Sequence, residues 1–177
     1  IDGIADNVEI MALRAVPNGD EHDKDVANAI RYAVDNGAKV INMSFGKGYS
    51  PNKAYVDGAV KYAESKGVLL VHAAGNSSFN VDETNNFPTK NFIKKGQAGN
   101  WLEVGASAWG DDDQLAAPFS NYGKAMVDLF APGVQIYSTA PGNDYKTAQG
   151  TSMASPVAAG VAALLLSYYP HLSALDV

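Results

Sequence analysis

Apolar positions recur along this chain with two alternating periods. Residues 8–16 are apolar-rich and read as a strand. Residues 23–36 then place Val26, Ile30, Ala33 and Val34 on one helical face, with Gly37 as the stop. Val40-Ile41-Asn42-Met43 has the length of a short buried strand. Ser50-Pro51 opens a second helix with Val56, Ala59, Val60 and Ala63 on its apolar face and Gly67 at its end. Val68-Leu69-Leu70-Val71 is the next strand. Residues 76–100 form a long polar loop, a length that usually signals function or variability. Strands are expected over 101–107, 126–130 and 134–138, and a last long helix over 152–169. Pro156 offers no N–H, so it fits only the first turn of that helix, and Pro170 ends it. Ser173 is expected to cap a further helix.

The first two helices echo each other. Ala29-Ile30-Arg31-Tyr32-Ala33 returns as Ala59-Val60-Lys61-Tyr62-Ala63, and Gly37 returns as Gly67. The repeat has the size of one helix–strand unit, which predicts an α/β fold with a parallel sheet and right-handed crossovers. Ligands of such sheets bind beyond the carboxyl ends of the strands. Those ends are Ser44-Phe45-Gly46 and Ala73-Ala74-Gly75-Asn76, which should lie side by side.

Composition narrows the function. With 177 residues, 46% of them apolar, the chain is one domain or a large piece of one. A net charge of −6 offers nothing basic for nucleic acid or an anionic membrane surface. The longest apolar run, residues 157–166, is shorter than the ~20 residues that span a bilayer. It reads as a buried core helix. The absence of Cys excludes disulfides, thiolate catalysis and a Cys-based zinc site. The opening Ile1-Asp2-Gly3 lacks the charged and apolar start of a secretory leader.

The candidate chemistry centres on Gly150-Thr151-Ser152-Met153-Ala154-Ser155-Pro156. A hydroxyl sits among small residues at the entry to an apolar helix. There, helix N–H groups and the helix dipole face a reacting oxygen. Taken alone, Ser152 could equally be an N-cap, and Gly75-Asn76 an ordinary turn. Together with the following Ala-Ala-Gly, the seven residues resemble the serine motif of the subtilases, the subtilisin-like serine proteases. Ala73-Ala74-Gly75-Asn76 is similar to the oxyanion-hole motif of that family, and residues 40–46 are similar to its cleft strand. Further matches are Phe119-Ser120-Asn121-Tyr122-Gly123 and Ala131-Pro132-Gly133-Val134. The resemblance runs from about Gly3 to the chain end.

The resemblance implies a three-layer α/β/α fold with a mostly parallel sheet, here incomplete. It implies a serine endopeptidase acting through an acyl-enzyme. Ser152 is then the nucleophile, and Asn76 donates to the oxyanion with the Ser152 backbone N–H. Ser44, Phe45 and Gly46 would form one wall of the pocket for the residue before the scissile bond. Ala73, Ala74 and Gly75 would form the other, with Asn86 near the floor through a Phe87-Pro88 match. Polypeptide is the implied substrate. Export to the cell envelope or beyond is the implied location. Calcium is a family habit with no ligands assignable here, and no metal site is expected among these residues.

The match breaks at the triad, which in this family runs Asp, His, Ser along the chain. Neither an Asp motif nor a His-Gly-Thr-like motif is present. Gly3-Ile4-Ala5-Asp6-Asn7-Val8 matches a segment that follows the catalytic His. Both partners are therefore expected in a preceding segment, and the C-terminal end is expected to be cut short. Without that segment the 8–16 strand would be an open edge, so the chain should bind the segment or itself. Of the three histidines, His22 reads as solvated and His171 as satisfying helix-end carbonyls. His72 lies on the strand leading to Asn76, with fixed geometry. Asp111-Asp112-Asp113 is a solvated turn or a calcium candidate. Two rivals remain: a pseudoprotease or binding domain on the same fold, and a nucleotide-binding α/β domain. The latter lacks a Gly-rich phosphate loop after its first strand.

Overall fold

The computed structural model describes residues 3–110 and 115–177. Its centre is a parallel sheet of β1 (Val40–Met43), β2 (Leu69–Ala73), β3 (Trp101–Ser107) and β4 (Leu129–Pro132), in that spatial order. Val40 pairs with Leu69, Leu70 with Trp101 and Val104 with Leu129, so each strand steps along in register. A two-stranded antiparallel hairpin, β5 (Ile136–Ala140) and β6 (Asp144–Ala148), stands apart.

Three helices cover the sheet. α1 (Asp23–Asp35) and α2 (Lys53–Ser65) pack against one face, and α3 (Thr151–Tyr168) against the other. Strand alternation sorts the side chains between them. Leu70 and Trp101 join Val26, Ile30, Val56 and Val60 in the first core. Leu69, Val71, Val104 and Ala106 join Ala154, Ala158 and Ala162 in the second. Both faces of β2 are therefore buried along its whole length, as a covered parallel strand requires. This is the three-layer α/β/α arrangement.

The helical expectations hold to within a few residues. Gly37 and Gly67 have φ of +87° and +69°, the left-handed turn a non-Gly residue resists. Pro156 departs from expectation: it lies in the second turn of α3 rather than the first, and the Ser152 carbonyl it leaves without a helix donor accepts from Ser44 Oγ instead. By length and composition α3 is apolar enough to cross a membrane, but its Ala154, Ala158, Ala159 and Ala162 are buried against the sheet.

Four further expectations are corrected. Residues 8–16 are not a strand: they are mostly exposed, Ile10 at 89%. An apolar pattern makes a strand only where another strand offers its ladder, and no described strand lies beside it. The strand expected at 126–130 is β4, shifted toward Pro132 because residues 124–126 are held in a turn by Asp82. The strand expected at 134–138 shifts to β5 and gains a partner, β6. That partner escaped notice because Asp144-Tyr145-Lys146-Thr147-Ala148 is exposed on both faces and shows no hydrophobic alternation. Ser173 opens no helix: its hydroxyl and N–H both bond the Asp176 carboxylate in a tight turn. The Asp111–Asp113 candidate lies outside the described residues.

Candidate active site at the carboxyl ends of the sheet

The strands β1 and β2 end side by side, as expected, and the first turn of α3 meets them there. Gly150 precedes α3 with φ +144°, so Ser152 is the second helical residue rather than the cap. Thr151 is fully buried and ties the helix to β2. Its N–H and hydroxyl both donate to Asn76 Oδ1, at 2.8 and 3.0 Å, and its hydroxyl accepts from Gly75 N–H at 3.1 Å. With Oδ1 committed to two donors, the orientation of the Asn76 amide is fixed. Among the described residues its Nδ2 has no hydrogen-bond partner, and neither has the Ser152 N–H.

These two donors face one space. A Cβ built on Gly150 would stand 3.4 Å from Asn76 Nδ2, 3.6 Å from Asn76 Oδ1, whose lone pairs Thr151 occupies, and 3.7 Å from Ser152 N. The missing side chain of Gly150 keeps open a nook bordered by two unpaired N–H groups and a helix N-terminus. Such a nook suits an anionic oxygen.

The adjoining strip 44–47 is pinned residue by residue. Ser152 Oγ donates to Ser44 O at 3.1 Å, and Ser44 Oγ donates to Ser152 O at 3.0 Å. His72 Nε2 meets Phe45 O at 2.8 Å. Gly46 lies so close to the Asn86 amide that a Cβ there would come within 2.5 Å of Oδ1. Lys47 and Phe87 exchange backbone hydrogen bonds of 3.0 and 2.8 Å. Asn86 Nδ2 also donates to Ala73 O at 2.9 Å. The Asn86 side chain thus spans from the 44–46 strip to the 73–75 strip. All nine sequence-derived residues, Ser152, Asn76, Ser44, Phe45, Gly46, Ala73, Ala74, Gly75 and Asn86, belong to this one neighbourhood.

Several residues of the matched motifs support the site in ways the sequence did not assign. Asn121 is buried, accepts from Ser77 and Phe79 N–H at 3.0 Å each, and donates to Ala74 O at 2.7 Å. It holds open the loop that starts at Asn76. Gly75, at φ +103°, leaves the Asn121 amide its place: a Cβ there would come within 2.4 Å of Asn121 Nδ2. Asn42 Oδ1 accepts from Ser155 Oγ at 2.6 Å, tying β1 to α3.

Charge is concentrated behind the strip. Lys47 Nζ pairs with Asp23 at 2.8 Å and donates to Glu21 O at 2.6 Å. Glu21 and Asp23, which flank the exposed His22, are 4% and 5% exposed. Burial raises the Glu21 carboxyl above its ordinary range, outweighing its own backbone N–H and Lys47. Burial also disfavours the Asp23 charge, but Lys47 and the Asn52 N–H together hold Asp23 below its ordinary range. Among the described residues no three His, Asp or Glu side chains gather in a metal-binding group.

Histidine is not beside Ser152 in any hydrogen bond of the described residues. His22 is exposed and closes the start of α1 through its carbonyl. His171 stacks edge-on to Tyr169. His72 is fully buried, with both ring nitrogens engaged.

A parallel α/β/α sheet with a helix-borne serine and an amide nook at its strand ends defines a subtilisin-like architecture. The chain belongs to the subtilase family, whose family description matches residues 1–177. It is 44% identical over 168 residues to the thermophilic serine proteinase of Bacillus sp. (strain AK1), covering 94% of this chain and 38% of that protein. It is 41% identical over 177 residues to subtilisin DY of Bacillus licheniformis, covering 99% of this chain and 60% of that protein. Among solved structures, a cold adapted subtilisin-like serine proteinase superposes with a TM-score of 0.82 at 36% identity. That match covers 98% of this chain and 59% of the other. The chain therefore spans about two to three fifths of the length of these relatives.

Proposed function

We propose that this chain is the serine-bearing part of a subtilisin-like endopeptidase domain. Ser152 Oγ attacks the carbonyl carbon of a peptide bond, and its proton passes to a base. The carbonyl oxygen takes the charge and settles in the nook beside Gly150, accepting from Asn76 Nδ2 and Ser152 N–H. The amine leaves with the proton from the base, and water then releases the acyl group from Oγ. The observation that carries this reading is the convergence of two unpaired N–H groups on the space left by Gly150.

The base and its orienting carboxylate belong, on this reading, to a segment preceding Ile1. That segment would dock on the exposed 8–13 stretch and the free edge of β1. The isolated chain should therefore self-associate or bind that segment, and light scattering against the 18.6 kDa monomer mass checks this. The substrate is a polypeptide. The walls supplied by the Phe45 backbone, whose ring packs on the core beside His72, and by Ala73, Ala74 and Gly75 carry no charge, which favours a medium or large uncharged residue before the scissile bond. Peptide-library profiling tests that, and a dominant Arg or Lys preference would contradict it. Export follows from the same reading and is checked by fractionating cells that express the full-length protein.

One observation favours a second reading, a non-catalytic domain on this fold: Ser152 Oγ donates to Ser44 O rather than to a histidine. A single experiment separates the two. In the full-length protein a fluorophosphonate should label Ser152, and Ser152→Ala should abolish peptide cleavage. No labelling and no cleavage would support the non-catalytic domain. Cleavage that survives Ser152→Ala would remove Ser152 from the chemistry.

A further inference from the structure

His72 and Glu103 are register partners on adjacent parallel strands, at the carboxyl end of β2. Both are buried, at 0% and 3% exposure. His72 Nδ1 stands 2.9 Å from Glu103 Oε1 and 3.0 Å from Oε2, and its Nε2 stands 2.8 Å from Phe45 O. The nucleophile does not touch this ring, so the reaction leaves the pair unexplained.

The hydrogens can be counted from the partners. Phe45 O only accepts, so Nε2 carries a hydrogen. Glu103 Oε2 already accepts from Trp101 Nε1 at 2.7 Å. A bare Nδ1 would set its lone pair against those of a carboxylate, or would need a protonated Glu103 donating through one oxygen, whereas Nδ1 stands nearly equidistant from both oxygens. An Nδ1–H shared between the two oxygens meets no such conflict, and the ring then carries both hydrogens opposite a carboxylate. The surroundings hold the pair in place. Glu103 N–H donates to Asp128 Oδ2 at 2.8 Å, and Asp128 Oδ1 pairs with Lys90 at 2.8 Å. The Trp101 ring lies against His72 at 5.4 Å and the Phe45 ring meets it edge-on at 6.5 Å.

We infer that His72 is a positioning residue: a buried imidazolium, clamped by Glu103, that anchors the Phe45 carbonyl and so sets the 44–46 strip against which substrate lies. The inference rests on the reading of that strip as the cleft wall. Ser44 and Lys47 are held by bonds of their own, Gly46 lies against the Asn86 amide, and His72 supplies the side-chain donor to Phe45. A one-sided deletion would leave a buried charge unpaired, which is strongly destabilising, whereas replacing both partners by apolar groups is tolerated.

The test has two independent arms in the full-length protein. In a long-range proton–nitrogen spectrum at neutral pH, both His72 ring nitrogens should appear in the N–H form. A ring with one bare nitrogen overturns the inference. Glu103→Gln, nearly isosteric, should reduce the ring to one hydrogen, and a spectrum that does not change also counts against it. In the second arm, His72→Leu/Glu103→Leu should raise KM for a peptide substrate about tenfold, with kcat per titrated site within about twofold, the scale of one lost hydrogen bond. His72→Gln/Glu103→Leu, which keeps an N–H toward Phe45 O and leaves no carboxylate unpaired, should recover most of that loss. A lowered melting temperature with unchanged KM would mean the pair only stabilises the fold, and the inference would fall. If the wild-type protein cleaves no peptide, the protease reading fails by itself. The ring spectrum, and the amide protection of residues 45–47 in the double variant, then decide the clamp alone.

Discussion

Thr151 gives both its N–H and its hydroxyl to a single oxygen, Asn76 Oδ1, at 2.8 and 3.0 Å. The helix that carries Ser152 therefore also sets which end of the Asn76 amide faces the site. Thr151 Oγ1 in turn accepts from Gly75 N–H, so one buried hydroxyl fixes both a backbone and a side-chain donor of the β2 end.

Thr151→Val keeps the shape and removes that hydroxyl. It strands the Gly75 N–H and takes one of the two donors from Asn76. The cost of unsatisfied buried groups of this kind is about 1–3 kcal/mol. Denaturant unfolding should show that loss, and Thr151→Ser should restore most of it. A Val variant as stable as wild type would mean that water replaces the hydroxyl.

Asn76→Ala in the full-length protein should lower kcat with little change in KM. The size is borrowed from subtilisin, a relative, where loss of the side-chain oxyanion donor costs about 10²–10³ in kcat. If instead KM alone rises, Asn76 contacts substrate in the ground state rather than the oxyanion.

Gly150→Ala places a methyl group in the nook at 3.4 Å from Asn76 Nδ2, on a residue with φ +144°. The backbone strain is worth about 1–3 kcal/mol. The variant should melt at a lower temperature and fail to react with a fluorophosphonate, whose oxygen needs the same space. Unimpaired labelling would show that the oxyanion sits elsewhere.

Glu21 and Asp23 share Lys47 but titrate in opposite directions. The folded-state pKa of Glu21 is raised, so its contribution to stability is present at low pH and is lost as pH rises through that raised value. Glu21→Gln should therefore be more stable than wild type at neutral pH, with the advantage fading below the ordinary carboxylate range. The folded-state pKa of Asp23 is lowered, so its contribution is present above the ordinary value and is lost as pH falls through the lowered one. Asp23→Asn should be less stable than wild type at neutral pH and converge with it in acid. Melting curves of the three proteins between acid and neutral pH give the crossing or its absence.

The layers were legible because Val26, Ile30, Ala33 and Val34, and again Val56, Ala59, Val60 and Ala63, keep one helical period and all become buried. The neighbourhood of Ser152 was legible because short residues around one serine and one amide form an uncommon pattern. What remained hidden depends on partners distant in sequence. Residues 8–16 carry strand-like apolarity, but pairing is a property of two segments, and this one has no described mate. β6 is the converse: its polar residues form a strand because β5 turns back onto it. The burial of Glu21 and Asp23 was hidden because nothing in Asp20-Glu21-His22-Asp23 announces that Lys47, 24 residues beyond Asp23, will meet them. His72 and Glu103 are 31 residues apart, and only the β2–β3 register makes them a pair.

The sheet is extended from one side only. β1 is hydrogen-bonded to β2 and to no other described strand, and it ends at Met43, one residue before Ser44. Ser44 is the residue that shares two hydrogen bonds with Ser152. A strand added alongside β1, pointing the same way as its four neighbours, would deliver its own last residues to the flank of the serine. The edge of the ladder at β1 and the half-buried Ser152 hydroxyl share one doorway, and a segment that completes the sheet there also arrives beside that hydroxyl.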